Sequence, residues 1–209
     1  MRMNALVLLV VAGCAPKPGA LARPAKCESG YRWAVKTGSD AGAAAIDRAA
    51  IRPVTIAEML EWPATVGPES SRVAPVETTM RKLSGRVVFV GGPEKDGDYE
   101  VSLAEGDGIV IVEFPDPDCL PASSAWAKPI AAARARFEAE PGQWAAFVRG
   151  EARRHPAKPE KGLPITVIGP GFLDHAKPEK GHADNGAEIH PVLAVCFGEG
   201  CTPELPLSP

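Results

Sequence analysis

The chain has 209 residues, 45% of them hydrophobic, with 23 Lys and Arg against 26 Asp and Glu and a formal charge of −3. That length and apolar fraction are enough for one domain with a buried core. The mildly acidic balance gives no electrostatic reason to seek nucleic acid, which is not expected as a partner.

The chain opens MRMNALVLLVVAGCAP, with Arg2 ahead of an apolar run from Ala5 to Ala12. The run is far short of the roughly 20 residues that a membrane-spanning helix needs. A charged start, a short apolar stretch and a small-residue end make a secretory signal. Val11-Ala12-Gly13-Cys14 is similar to a bacterial lipobox, in which cleavage falls just before the cysteine and the cysteine is lipidated. The expectation is therefore a signal peptide over 1–13, a lipidated Cys14 and a Pro-rich tether over 14–26. Lipid on Cys14 would make the membrane a partner without a span, and would place the protein in the envelope at the periplasmic face of the outer membrane. An ordinary secretory signal cut elsewhere is the alternative.

Beyond Cys14 stand Cys27, Cys119, Cys196 and Cys201. An even count in an exported chain suggests disulfides, with three possible connectivities. Cys196 and Cys201 flank the glycine-rich turn FGEG, which favours Cys196–Cys201 and leaves Cys27 with Cys119. A four-thiolate zinc site would need spacings that this chain lacks.

In chain order, Thr55 and Glu58 form a capping box that opens a short helix ending before Pro63. Lys36-Thr37-Gly38 resembles one element of the penicillin-binding serine enzymes, but no Ser-x-x-Lys occurs to supply a nucleophile. Strands begin with Leu83–Val90. From Asp98 to Leu103 the pattern alternates, with Tyr99, Val101 and Leu103 on one face and Asp98, Glu100 and Ser102 on the other. The hairpin turn EGDG over 105–108 leads into a third strand, Ile109–Phe114, which is apolar except at Glu113 and is ended by Pro115 and Pro117. Ser123 or Ser124 then caps a helix carrying Trp126, Ile130, Ala133 and Phe137 at helical spacing, although Pro129 inside this pattern argues for a later start. A further turn of helix is expected over 143–154, and two more strands over 163–173 and 187–197.

The hexamer AKPEKG occurs at 157–162 and again at 176–181, flanking the fourth strand. Eleven extended residues at about 3.3 Å each separate the copies by roughly 35 Å. They read as two similar turns, and cannot share a ligand. Three strands, a helix and two strands predict a mainly β fold with helices (α+β). This is a five-stranded OB-like barrel over 27–197, its main helix between strands 3 and 4, with a C-terminal tail over 198–209. Separate hairpin sheets with a helix on one side are the alternative.

The segments RWAVKTGSD, RVAPVETT, DGDYEVSL, VEFPDPDC and NGAEIHPVL together resemble a family of uncharacterised exported bacterial proteins that look like OB-type barrels. The resemblance runs in order over about residues 27 to 197 and brings no activity with it. It implies a Cys27–Cys119 bridge, since members commonly carry one cysteine before the Trp motif and one after Pro-Asp-Pro. This chain departs from the pattern at Glu100, where the family usually has His. It departs again at Phe172-Leu173-Asp174-His175-Ala176-Lys177, where the family tends to read Phe-Phe-Asp-x-x-His.

Two groups of residues could carry function. The loop over 174–186 holds Asp174, His175, His182, Asp184 and Asn185 as candidate ligand-binding residues. With His190 and Glu188 they offer imidazole and carboxylate donors suited to zinc, iron or manganese. Glu188 and His190, two apart on a strand, share a face. In an OB barrel the last strand pairs with the third, so Glu113 would join them in a cluster that raises the pKa of His190. Such a cluster suits general acid–base work, metal binding, or simply a polar contact that fixes strand register. With no complete catalytic signature and no cofactor motif, the first expectation is a lipid-anchored, non-enzymatic binding or scaffold module with an unknown envelope ligand or protein partner. The alternative is a metal-dependent, phosphodiesterase-like hydrolase using Glu113, Glu188 and His190.

Overall fold

A computed structural model describes residues 27–140, 162–176 and 181–206. The expected signal peptide and tether, the turn of helix over 143–154 and most of both AKPEKG copies lie outside these residues.

Five strands close a barrel: β2 (Met80–Gly91), β3 (Tyr99–Glu105), β4 (Gly108–Phe114), β5 (Leu163–Leu173) and β6 (Ala187–Ile189). Around the barrel the order is β2-β3-β4-β6-β5, and β5 returns to β2. All neighbours are antiparallel except β4 and β6, which run parallel with Ile111 opposite Glu188. This is the connectivity of an OB-type barrel, and the chain is a mainly β, OB-like domain. Closure depends on β2, whose residues 80–87 pair with β5 while 86–91 pair with β3. A bulge between Val87 and Phe89 gives one strand the bend to serve both neighbours.

Two short strands lie outside the barrel. β1 (Arg52–Val54) runs parallel to β2, and β7 (Ala194–Phe197) pairs with β5. The single strand expected over 187–197 is thus two. Pro191, two residues past the end of β6, has no N–H to continue the ladder. The chain turns there, and β7 pairs with Ile165–Ile168, further back along β5.

Alternation decides what faces the barrel interior. Tyr99, Val101, Leu103, Val110, Val112, Phe114, Ala187 and Ile189 all join one buried cluster with Leu83, Ile165 and Val167. The alternate residues Asp98, Glu100, Ser102, Glu113 and Glu188 therefore lie on the outer face of β3, β4 and β6. They are nevertheless buried, because other parts of the chain cover that face.

Among the described residues there are three α-helices, α1 (Trp33–Lys36), α2 (Ile56–Leu60) and α3 (Ala127–Glu138). α2 begins with the expected capping box. α3 begins after Ser123 and Ser124, with Trp126 as its N-cap and Pro129 in its first turn, where the missing N–H costs nothing. Ser124 accepts a hydrogen bond from the Trp126 N–H just before the helix. Ala133 and Phe137 reach the barrel core, while Trp126 and Ile130 anchor a second cluster with Met80 and Leu193. Both expected disulfides are formed, Cys27–Cys119 and Cys196–Cys201. No helix among the described residues is long and apolar enough to cross a membrane. The disulfides point to an oxidising, exported environment.

Candidate functional site

Three strand ends and one loop bring the site together. Asp98 precedes β3 and Glu113 is the penultimate residue of β4. Glu188 is the centre of β6, and His190 follows that strand directly. His190 Nδ1 lies 3.0 Å from Glu113 Oε2 and 3.8 Å from Glu188 Oε2, while Nε2 lies 3.3 Å from Asp98 Oδ2. Glu113, Glu188 and His190 therefore meet, as the parallel pairing of the last and third barrel strands implies.

Every member of this group is buried, His190 completely. Although the separations are short, neither ring nitrogen makes a well-formed hydrogen bond with a described residue, and the contacts are chiefly electrostatic. Both Asp98 oxygens and Glu188 Oε2 also have no hydrogen-bond partner among the described residues.

The cluster extends along the face. Glu100 and Glu113 are directly opposite each other in the β3–β4 register, an arrangement that is unfavourable for like charges. His182 Nε2 approaches Glu100 Oε1 at 3.5 Å, and Lys36 Nζ approaches Asp174 Oδ2 at 3.8 Å. Ser102 donates to the Gly181 carbonyl, which fixes the returning β5–β6 loop over the face. Phe172 forms an apolar floor, its ring 5.4 Å from both the His190 ring and Lys36 Nζ.

The crowding of charge displaces ionisation. Burial alone would lower the pKa of His190, but the charge of Glu113 and the contacts with Asp98, Glu113 and Glu188 carry it well above the ordinary imidazole value. Burial pushes Asp98 up to about 6, and the His190 contact opposes that rise. Glu188 is raised by burial and by the Glu113 charge. Burial acts to lower the Lys36 pKa, but Glu113, Glu188, Asp174 and Asp98 outweigh it, so this lysine stays charged.

The loop residues are distributed differently. Asp174 faces Lys36 and His182 faces Glu100, both within the covered layer. His175 is exposed and lies beside Tyr31 with the rings tilted and their centroids 4.7 Å apart, and Asp184 is exposed. Asn185 donates to the carbonyls of Met59, Leu60 and Trp62, so its amide is committed to holding the end of α2. The five loop residues do not converge on one point, and the exposed His175 differs in surroundings from the buried His182.

Asp98 and Lys36 were not among the sequence candidates. Asp98 had a usable signal, since it shares the polar face of its strand with Glu100 and stands one strand from Glu113. Lys36 had none, because it reaches the site from a four-residue helix far earlier in the chain. A shallow groove lined by Ser84, Arg86, Glu105, Thr166 and Glu199 lies elsewhere and shares no residue with the cluster.

No protein family and no curated protein matches this sequence. The solved structures that share some of its shape include these two. One is described as an aspartyl-tRNA synthetase from Leishmania major Friedlin, with 10% identity, a TM-score of 0.36, and coverage of 70% of this chain and 20% of that one. The chain thus spans a fifth of that protein's length. The other is OBody AM3L09 bound to hen egg-white lysozyme, with 12% identity, a TM-score of 0.34, and coverage of 58% and 83%.

Proposed function

We propose that this chain is an exported, lipid-anchored binding or scaffold module and not an enzyme. The observation that carries this reading is the burial of the Asp98, Glu113, Glu188 and His190 cluster under the chain's own residues. OB barrels commonly bind ligands on the face of their second and third strands, with the loop before the second strand and the loop before the fifth on either side. Here those strands are β3 and β4, and the corresponding face is occupied by carboxylates and covered by Lys36, Asp174 and the 181–182 segment. Such a face repels the phosphates of nucleic acid, and a large substrate has no approach to its donors.

The two disulfides support export, and the residues around Cys14 supply the anchor. Cys14→Ala should release the protein from membranes. Fractionation of cells expressing the variant tests this, and an unchanged membrane-bound pool would sink the anchor.

A second reading, a metal-dependent phosphodiesterase, is favoured by one observation: Glu113, Glu188 and His190 do converge. Turnover of a chromogenic phosphodiester by the purified protein, abolished in Glu113→Gln, would establish it in place of the first reading.

A further inference from the structure

We propose that Asp98, Glu113 and His190 hold a divalent cation of the zinc or manganese class on the outer face of the barrel, with Glu188 adding negative charge beside it. The proposal names a ligand for the binding-module reading and rests on it.

Geometry is the first support. One ligand atom from each of Asp98, Glu113 and His190 lies within 4.8 Å of the others. Bonds of about 2.1 Å place the ligands of one ion roughly 3 to 4 Å apart, so small side-chain movements would close the site. Both nitrogens of His190 face carboxylates, at 3.0 Å and 3.3 Å. Nε2 can bind the ion while Glu188, whose Oε2 lies 3.8 Å from Nδ1, supports the other side of the ring, as a carboxylate commonly does for a metal-bound imidazole.

The second support is independent of the first. Both Asp98 oxygens, Glu188 Oε2 and both His190 nitrogens are buried and make no hydrogen bond with the described residues. A polar contact that merely set strand register would satisfy these atoms, since an unmade bond to a buried polar group costs free energy. The buried Arg32 guanidinium, by contrast, is fully satisfied: it meets Glu77 at two points and three backbone carbonyls besides. The difference marks the Asp98–His190 group as one that the protein atoms alone leave incomplete.

Charge is the third. Three buried carboxylates, Asp98, Glu113 and Glu188, surround the one His190 ring, so negative charge is in excess there even with that ring protonated. A dication at the Asp98, Glu113 and His190 donors would balance much of that excess. One imidazole with two carboxylates suits zinc or manganese, whereas magnesium and calcium prefer oxygen ligands throughout.

The test uses protein purified from cells expressing the full chain, stripped with chelator and titrated separately with Zn²⁺, Mn²⁺, Mg²⁺ and Ca²⁺. One equivalent of Zn²⁺ or Mn²⁺ should bind, and at a hundredfold excess over Kd should raise the Tm by about 5 to 10 °C. Mg²⁺ and Ca²⁺ should do much less. Asp98→Asn and Glu113→Gln keep side-chain shape and remove charge. Both should fold without cation and lose at least tenfold in affinity, whereas His175→Ala should bind like wild type. Should the amide variants fail to fold, Mn²⁺ added to wild type should broaden the His190 ring proton signals before those of His175.

Folded wild type that binds none of the ions stoichiometrically overturns the site, as does unchanged binding in both amide variants, or broadening that begins at His175. Binding without phosphodiester turnover supports both the site and the non-enzymatic reading. Binding with turnover that Glu113→Gln abolishes supports the site and overturns only the non-enzymatic reading.

Discussion

Two kinds of buried charge coexist here at the scale of single residues, and they differ in how they are satisfied. Arg32 sits in the left-handed region at φ 54 and is completely buried, yet every nitrogen of its guanidinium donates. Glu77 accepts from it at 2.6 and 2.7 Å and takes the Val73 and Leu173 N–H groups as well. Removing one partner of such a pair leaves the other charged, buried and uncompensated. Glu77→Ala should therefore cost about 3 to 5 kcal/mol. Urea unfolding of the variant beside wild type measures it, and a loss below about 1 kcal/mol would show that the pair is not closed in solution. Neither Arg32 nor Glu77 stands out in the sequence, because they are 45 positions apart and neither lies in a barrel strand. Glu113, Glu188 and His190 were legible for the opposite reason, since regular strand pairing fixes their neighbours.

Among the elements, legibility followed periodicity. The β3 alternation, the α2 capping box and the β3–β4 hairpin could all be read from local pattern, and each is present. What escaped was set by contacts across the chain: the parallel attachment of β1, the break between β6 and β7 at Pro191, and the arrival of Lys36 over the outer face. Turns show how much a local signal leaves unsaid. Gly106 and Gly186 both have positive φ, 57° and 72°, but their surroundings differ. A Cβ on Gly106 would meet nothing within 4 Å, whereas one on Gly186 would lie 2.1 Å from the Asp174 carbonyl oxygen. Gly106→Ala should cost only the conformational penalty of about 1 to 2 kcal/mol. Gly186→Ala should cost clearly more, since the backbone at Asp174 must move and with it the start of β6. Chemical denaturation of the two variants provides the comparison, and equal losses would mean that the β5–β6 loop yields freely.

For the molecule as a whole, the question is how a face lined with carboxylates stays covered. Part of the cover is α1, in the segment that precedes the barrel, and one of its attachments, beside the Arg32–Glu77 pair, is the Cys27–Cys119 bridge. Cys119 ends a short 3-10 helix, Pro117–Cys119, just after β4, so the bridge ties the segment leading into α1 to the strand that carries Glu113. It spans 92 residues, against 5 for Cys196–Cys201. In the chain-entropy account a longer closed loop restricts the unfolded chain more. Replacing Cys27 and Cys119 together by Ser should then cost about 4 to 5 kcal/mol, and the same change at Cys196 and Cys201 about 2 kcal/mol. The first pair should also loosen the cover, so hydrogen exchange should quicken at residues 33–36 and along β4 in that variant and not in the other. Unfolding curves and exchange on the two double variants test the pair of expectations together. Equal stability losses, with unchanged exchange at 33–36, would mean that packing against the barrel holds the N-terminal segment in place without the bridge.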